Sequence, residues 1–233
     1  EKVYCVAPSF RAEKSRTIRH LAEFWHIESE EAFSTLDDLM RLEEELVSYG
    51  CQNTAKKCKK ELEALGLDPK ELSKVKAPFP KITYDEAVER LHKKGFTMPW
   101  GEDFGFNEER ALTEEMGGPM FVYAYPKKIK AFYVKAYPNK PDLVMSADLL
   151  VPRIGELTTG GARVDDKEEL LQNMKVFDLR PEDYEWYVDL RRYGSVPHTG
   201  FGMGIERLLA WMLNLESVMD TIPFPRTTRR SFP

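Results

Sequence analysis

Near the start of this chain, Arg11 lies in PSFRAE, and Arg19-His20-Leu21 follows a short charged stretch, with Glu23 and Phe24 just beyond. Arginine keeps its charge, and its planar fork binds phosphate oxygens in pairs. A hairpin that gathers these side chains makes a positive site of polyphosphate size. Near the other end, Gly200-Phe201-Gly202-Met203-Gly204 runs into Ile205-Glu206-Arg207-Leu208. Glycines let a backbone approach a ligand closely. A helix opening there presents the amino terminus that anions favour, with Arg207 in its first turn. Between the two lie Asp148, Glu156, Thr159 and Arg163. Carboxylates on adjacent strands are hard oxygen ligands of the kind magnesium takes. Taken singly, each pattern is also compatible with close packing or solvated surface.

The elements that must position these residues follow from local pattern. Residues 2–10 and 21–29 read as strands, and the charged loop between them makes a hairpin with its chemistry on the loop. Residues 35–58 read as a helix capped at Ser34 or Thr35, with Leu36, Leu39, Met40, Leu46 and Val47 on one face. A lysine-rich segment up to Pro80 reads as packing and surface. Helices are expected over 84–94, 107–116, 166–176, 182–191 and from Ile205 to Leu215. Strands are expected over 119–125, 131–135, 143–151, 154–159 and 199–204. Hairpins and helical excursions joining these strands predict an α+β fold with a largely antiparallel sheet. No phosphate-binding GxxxxGK[ST] loop or GxGxxG turn occurs.

Composition bounds the rest. The 233 residues are 42% hydrophobic and 31% charged, which suits a folded globular chain. The net charge is −5, so any basic nucleic-acid face must be local, as at Lys56-Lys57 and Lys59-Lys60 or Arg226, Arg229 and Arg230. Cys5, Cys51 and Cys58 form neither a disulfide framework nor a zinc spacing. No apolar run reaches the length of a membrane span and no leader is visible, so no membrane partner and a cytoplasmic location are the expectation. The chain opens on Glu1 and enters a strand-like run at once, which reads as a piece of a longer protein.

In order, the patterns FRAE, RHLAEF, an acidic strand with GELTTGGAR, and GFGMGIER resemble motifs 2 and 3 of the class II aminoacyl-tRNA synthetases. The likeness runs from Val3 to Pro233 and points to the subclass of aspartyl, asparaginyl and lysyl enzymes. The segments SFRAEKSRTIRHLAEFWHIE, YPKKIKAFY and RRYGSVPHTGFGMGIER are most similar to the asparaginyl enzymes. The resemblance implies a class II synthetase-like antiparallel sheet flanked by helices, spanning 1–233 with a helical insertion around 35–118. It also implies that motif 1 and the anticodon-binding domain are absent from this stretch. A homodimer is the expectation for a full-length enzyme and not for this piece.

The same resemblance implies ATP and magnesium as cofactors, and asparagine and tRNA(Asn) as partners. It places Arg11 on the α-phosphate, Glu13 on the adenine amino group, and Arg19, His20 and Leu21 near the outer phosphates and adenine. Phe24 and Arg207 would sandwich the adenine, with the Gly204 backbone at the nucleotide. Glu156 and Thr159 would hold magnesium, with Asp148 as a further carboxylate of the metal set. Arg163, Lys130, Thr159 and Glu23 would line the amino acid pocket, and an Arg163–Glu23 pair would select a carboxamide over a carboxylate. The run GELTTGGAR departs from the usual GEIIGGSQR, which touches side-chain specificity. The competing readings are an aspartyl enzyme or one charging both tRNAs, a tRNA-independent AMP-forming asparagine synthetase, and a non-catalytic relative.

Overall fold

The computed structural model describes residues 1–12 and 17–232. Strands β1 (Lys2–Phe10) and β2 (Glu23–Ala32) form the expected hairpin, paired in one register from Lys2↔Glu31 to Phe10↔Glu23. Helices α1 (Leu36–Lys57), α2 (Lys59–Ala64) and α3 (Pro69–Ser73) follow, then strand β3 (Lys81–Thr83) and helices α4 (Tyr84–Lys93) and α5 (Phe106–Met116). Strand β4 (Met120–Tyr123) precedes a small β5–β6 pair (Ala136–Tyr137, Lys140–Val144), and β7 (Ser146–Val151) pairs with β8 (Gly155–Ala162). Helices α6 (Lys167–Val176) and α7 (Glu185–Arg192), strand β9 (His198–Gly204) and helix α8 (Ile205–Met212) complete the order.

Seven strands lie in the order β1-β2-β9-β8-β7-β4-β3, antiparallel except for the terminal β3–β4 pair. The expected α+β class with a largely antiparallel sheet is thus the observed one. The far edge corrects the sequence reading: Lys81–Thr83, just past Pro80 and expected in no element, forms β3. A second correction concerns 131–135. Its β-prone side chains do not form a strand. The chain turns there, with Val134 N–H donating to the Ala131 carbonyl, and Phe132 and Tyr133 pack against the α6–α7 pair. Packing overrides intrinsic β preference at such positions.

One face of the sheet carries α1 and α8. Leu39, Met40 and Val47 of α1 pack with Leu149, Val151, Phe201 and Met203 of the sheet and Ala210 and Trp211 of α8. On the other face, Tyr84, Val88, Leu91 and Leu112 of α4 and α5 cover Met120, Val122 and Leu150 at one end only. Each fully buried large side chain contributes about 1.5–3 kcal/mol. Within residues 35–118, α1 packs on the back of the sheet and α4–α5 on one end of its front. The uncovered part of that front is the cleft described below. Thr35 and Thr83 start α1 and α4 with reciprocal capping boxes to Asp38 and Glu86. Among the described residues no helix is long and apolar enough to cross a membrane.

Several polar side chains are buried with the core, a glutamate of α1 most completely among the carboxylates. Glu43 of α1 is fully buried beside Thr158 of β8. Burial pushes its carboxyl up to about 8, against the smaller pull of the Thr158 hydroxyl and Arg163. An unfolded chain ionises this group near 4.5, whereas the folded one keeps it neutral to about 8, so its contribution to stability falls as pH rises between those values. Glu43→Gln keeps the shape without the charge. Urea unfolding at pH 5 and pH 8 is expected to show the variant gaining on the wild type as pH rises, by roughly a few kcal/mol.

Candidate functional site

The β1–β2 hairpin, β8, β9 and the start of α8 enclose a cleft of about 290 Å³. Strand alternation decides what β2 contributes. Side chains two residues apart share a face, and Phe24, His26, Glu28 and Glu30 all line the cleft. Glu23 has the opposite parity and pairs instead with Arg226. The expected Arg163–Glu23 pair therefore does not form. Arg163 binds Glu30, with Nη2 at 2.6 Å and Nε at 3.0 Å from Oε1. Gly200 on β9 makes this possible, because a Cβ there would occupy the place of the Glu30 carboxylate.

Arg11 and Arg207, nearly two hundred residues apart, line the same cleft. The Arg11 guanidinium lies 5.6 Å from the centre of the Phe24 ring. Arg207 Nη1 donates to Glu156 Oε1 at 2.9 Å and to the Glu156 carbonyl at 2.8 Å. Nε of Arg207 reaches the Arg19 carbonyl at 3.4 Å, and its Nη2 lies 3.5 Å from His20 Nε2. Burial works to raise the Glu156 carboxyl, but Arg207, then Lys130, outweigh it and hold it below its ordinary value. Arg19, His20, Leu21, Thr159 and Gly204 also border the cleft. Leu21 does so while belonging to the main core, and Gly204 does so where β9 hands over to α8. Glu13 lies outside the described residues.

The expected metal set is rearranged. Asp148 is paired with Lys130 Nζ at 2.5 Å and accepts the Thr159 hydroxyl. It is buried behind the cleft and does not border it. The β7–β8 register, which sets Asp148 opposite Thr159, turns its oxygens to those partners. Among the described residues no cluster of three metal-ligating His, Cys, Asp or Glu side chains exists. Lys130 does border the cleft and lies 3.8 Å from the centre of the Tyr125 ring. Burial alone would lower its pKa, but Asp148, then Glu156, keep it raised.

Sequence reasoning passed over His26, Glu28, Glu30, Tyr133 and Glu206, which all line the cleft. The signal for the first three was the i+2 spacing from Phe24. Glu206 accepts the Trp25 N–H at 2.9 Å, tying α8 to β2. Burial lowers the pKa of His26, with Glu28 opposing and Arg11 assisting.

The chain matches the family of class II tRNA synthetases (D, K and N) over residues 1–228. It belongs to that family. It is 53% identical to the asparagine–tRNA ligase of Pyrococcus furiosus over 234 residues, which cover 100% of this chain and 54% of that protein. The crystal structure of asparaginyl-tRNA synthetase from Pyrococcus horikoshii complexed with asparaginyl-adenylate superposes with a TM-score of 0.96 at 53% identity, covering 100% of this chain and 54% of that one. The aspartyl-tRNA synthetase of Entamoeba histolytica gives 0.89 at 28% identity, covering 100% and 49%. The chain spans about half the length of the curated relatives it matches.

A cleft bordered by Arg11, Arg19 and Arg207 is suited to a polyphosphate. Inorganic pyrophosphate titrated calorimetrically into this class II synthetase chain is expected to bind with an affinity that weakens as salt rises. Arg19→Ala is expected to weaken it about tenfold or more, roughly the worth of one charge-assisted contact.

Proposed function

We propose that the chain carries the catalytic site of an asparagine–tRNA ligase, which activates asparagine with ATP and transfers it to the 3′ end of tRNA(Asn). The observation that carries the reading is the convergence of Arg11 and Arg207 on one cleft whose other end holds the Arg163–Glu30 pair. The relatives named asparagine–tRNA ligase, and the neighbouring structure that holds asparaginyl-adenylate, support the choice of substrate.

Activation is attack of the asparagine carboxylate on the α-phosphorus of ATP. An acyl-phosphate bond forms, the bond to the β-phosphate oxygen breaks, and pyrophosphate leaves. The nucleophile is already ionised, so no general base is required, and catalysis reduces to placing two anions and countering charge that grows on the phosphate. Arg11 is the guanidinium for the α-phosphate. Phe24 and Arg207 enclose the adenine, a flat ring between an aromatic face and a cation. In the second step the terminal ribose 3′ hydroxyl of the tRNA attacks the activated carbonyl carbon, and AMP leaves.

Magnesium fits this donor set through Glu156 and Thr159, which both border the cleft. Magnesium takes one or two protein carboxylates plus substrate phosphates, so a three-carboxylate cage is not required. When bound it would supply positive charge to the phosphate oxygens.

The amide of asparagine has one acceptor and one donor group. Arg163 meets the first and Glu30 the second, whereas an aspartate side chain would set a carboxylate against Glu30. Like charges so placed cost several kcal/mol. Amino-acid-dependent ATP–pyrophosphate exchange, run with each proteinogenic amino acid, is expected to respond to asparagine and poorly to aspartate. A preference for aspartate, or no exchange with any of them, would overturn the assignment. In the same assay Glu30→Gln is expected to narrow the preference for asparagine by about tenfold or more, while Glu23→Gln leaves it unchanged.

A further inference from the structure

We infer that Glu109 of α5 is a positioning residue for Arg19, so that a helix outside the sheet sets the affinity for the triphosphate end of the nucleotide. The inference rests on the ATP-dependent reading above. Arg19 borders the cleft, whereas Glu109 lies behind it and reaches the nucleotide only through Arg19.

Three separate features fix this arrangement. The first turn of α5 presents Phe106 and Glu109, three residues apart and so on one helix face. The Arg19 guanidinium sits 5.5 Å from the centre of the Phe106 ring, and its Nη1 donates to Glu109 Oε2. Ring and carboxylate together hold one guanidinium from the hairpin. The same Oε2 accepts the backbone N–H of Glu156 at 3.2 Å, so one carboxylate oxygen holds both the hairpin arginine and the start of β8. Finally, Gly155 has φ +80°, and a Cβ there would collide with the Glu109 carboxylate and with Arg19 Nη1. Only glycine combines that backbone with that approach.

The pair is largely withdrawn from water, with Arg19 and Glu109 side chains 15% and 7% exposed. Burial raises the Glu109 carboxyl to about 7, and Arg19 is the largest pull against that shift. An arginine with five donors can serve a carboxylate from one edge and a phosphate from another. A guanidinium already locked from behind loses less freedom when the phosphate arrives.

The test is equilibrium binding of ATP, AMP and asparagine to the full chain carrying Glu109→Gln. ATP affinity is expected to fall about tenfold or more, with AMP and asparagine within about twofold of the wild type. Arg19→Ala is expected to show the same selective loss, and the double variant to bind ATP no worse than Arg19→Ala alone. Unchanged ATP binding overturns the inference, as does an equal loss of all three ligands or an additional loss in the double variant. Should Glu109→Gln not fold, Glu109→Asp keeps the charge but withdraws it by one methylene. It must then weaken ATP selectively, and ATP binding like that of the wild type overturns the inference. A wild-type chain that binds neither ATP nor asparagine would instead remove the functional reading itself.

Discussion

Four of the cations that border the cleft are each held by a carboxylate from another part of the fold. Arg207 is paired with Glu156 of β8, Arg163 with Glu30 of β2, Arg19 with Glu109 of α5 and Lys130 with Asp148 of β7. Unpaired charges at such depth would cost several kcal/mol each. Pairing removes that cost and fixes each guanidinium or ammonium before a ligand arrives. Preorganised charge of this kind is what a reaction without a general base requires.

The sheet makes those pairs geometrically possible. Antiparallel order sets β2 beside β9 and β9 beside β8, so residues from the beginning, middle and end of the chain meet across adjacent strands. Glycines at positions 155 and 200 open the space for two of the carboxylates. The hydrophobic back of the sheet, with α1 and α8 packed on it, holds the strands at a fixed register while the front stays polar. A slip of one residue in β2 would turn Glu30 away from Arg163 and bring Glu23 round, since neighbours on a strand face opposite sides.

The division between front and back also explains the mixed character of α5. Leu112 serves the core under β4, while Phe106 and Glu109 reach Arg19. One short helix thereby links the core at the sheet's far end to Arg19 at the cleft.

Much of this was legible in the sequence. The α+β class, the hairpin with its charged loop and α1 with its capping threonine follow from periodicity, capping and residue chemistry, which are local properties, whereas a shared cleft for Arg11 and Arg207 was what the family resemblance implied. What the sequence did not determine was pairing across strands. Glu23 and Glu30 are both acids on one strand near arginines, and only the register and the partner strand decide that Glu30 meets Arg163 while Glu23 meets Arg226. Asp148, expected in the metal set, meets Lys130 and Thr159 only because the fold brings them together. Glu109 carried no local signal, because its role depends on a guanidinium ninety positions away in the chain. Side-chain type and spacing act over a few residues, whereas charge pairing acts through space and is settled only when the sheet closes.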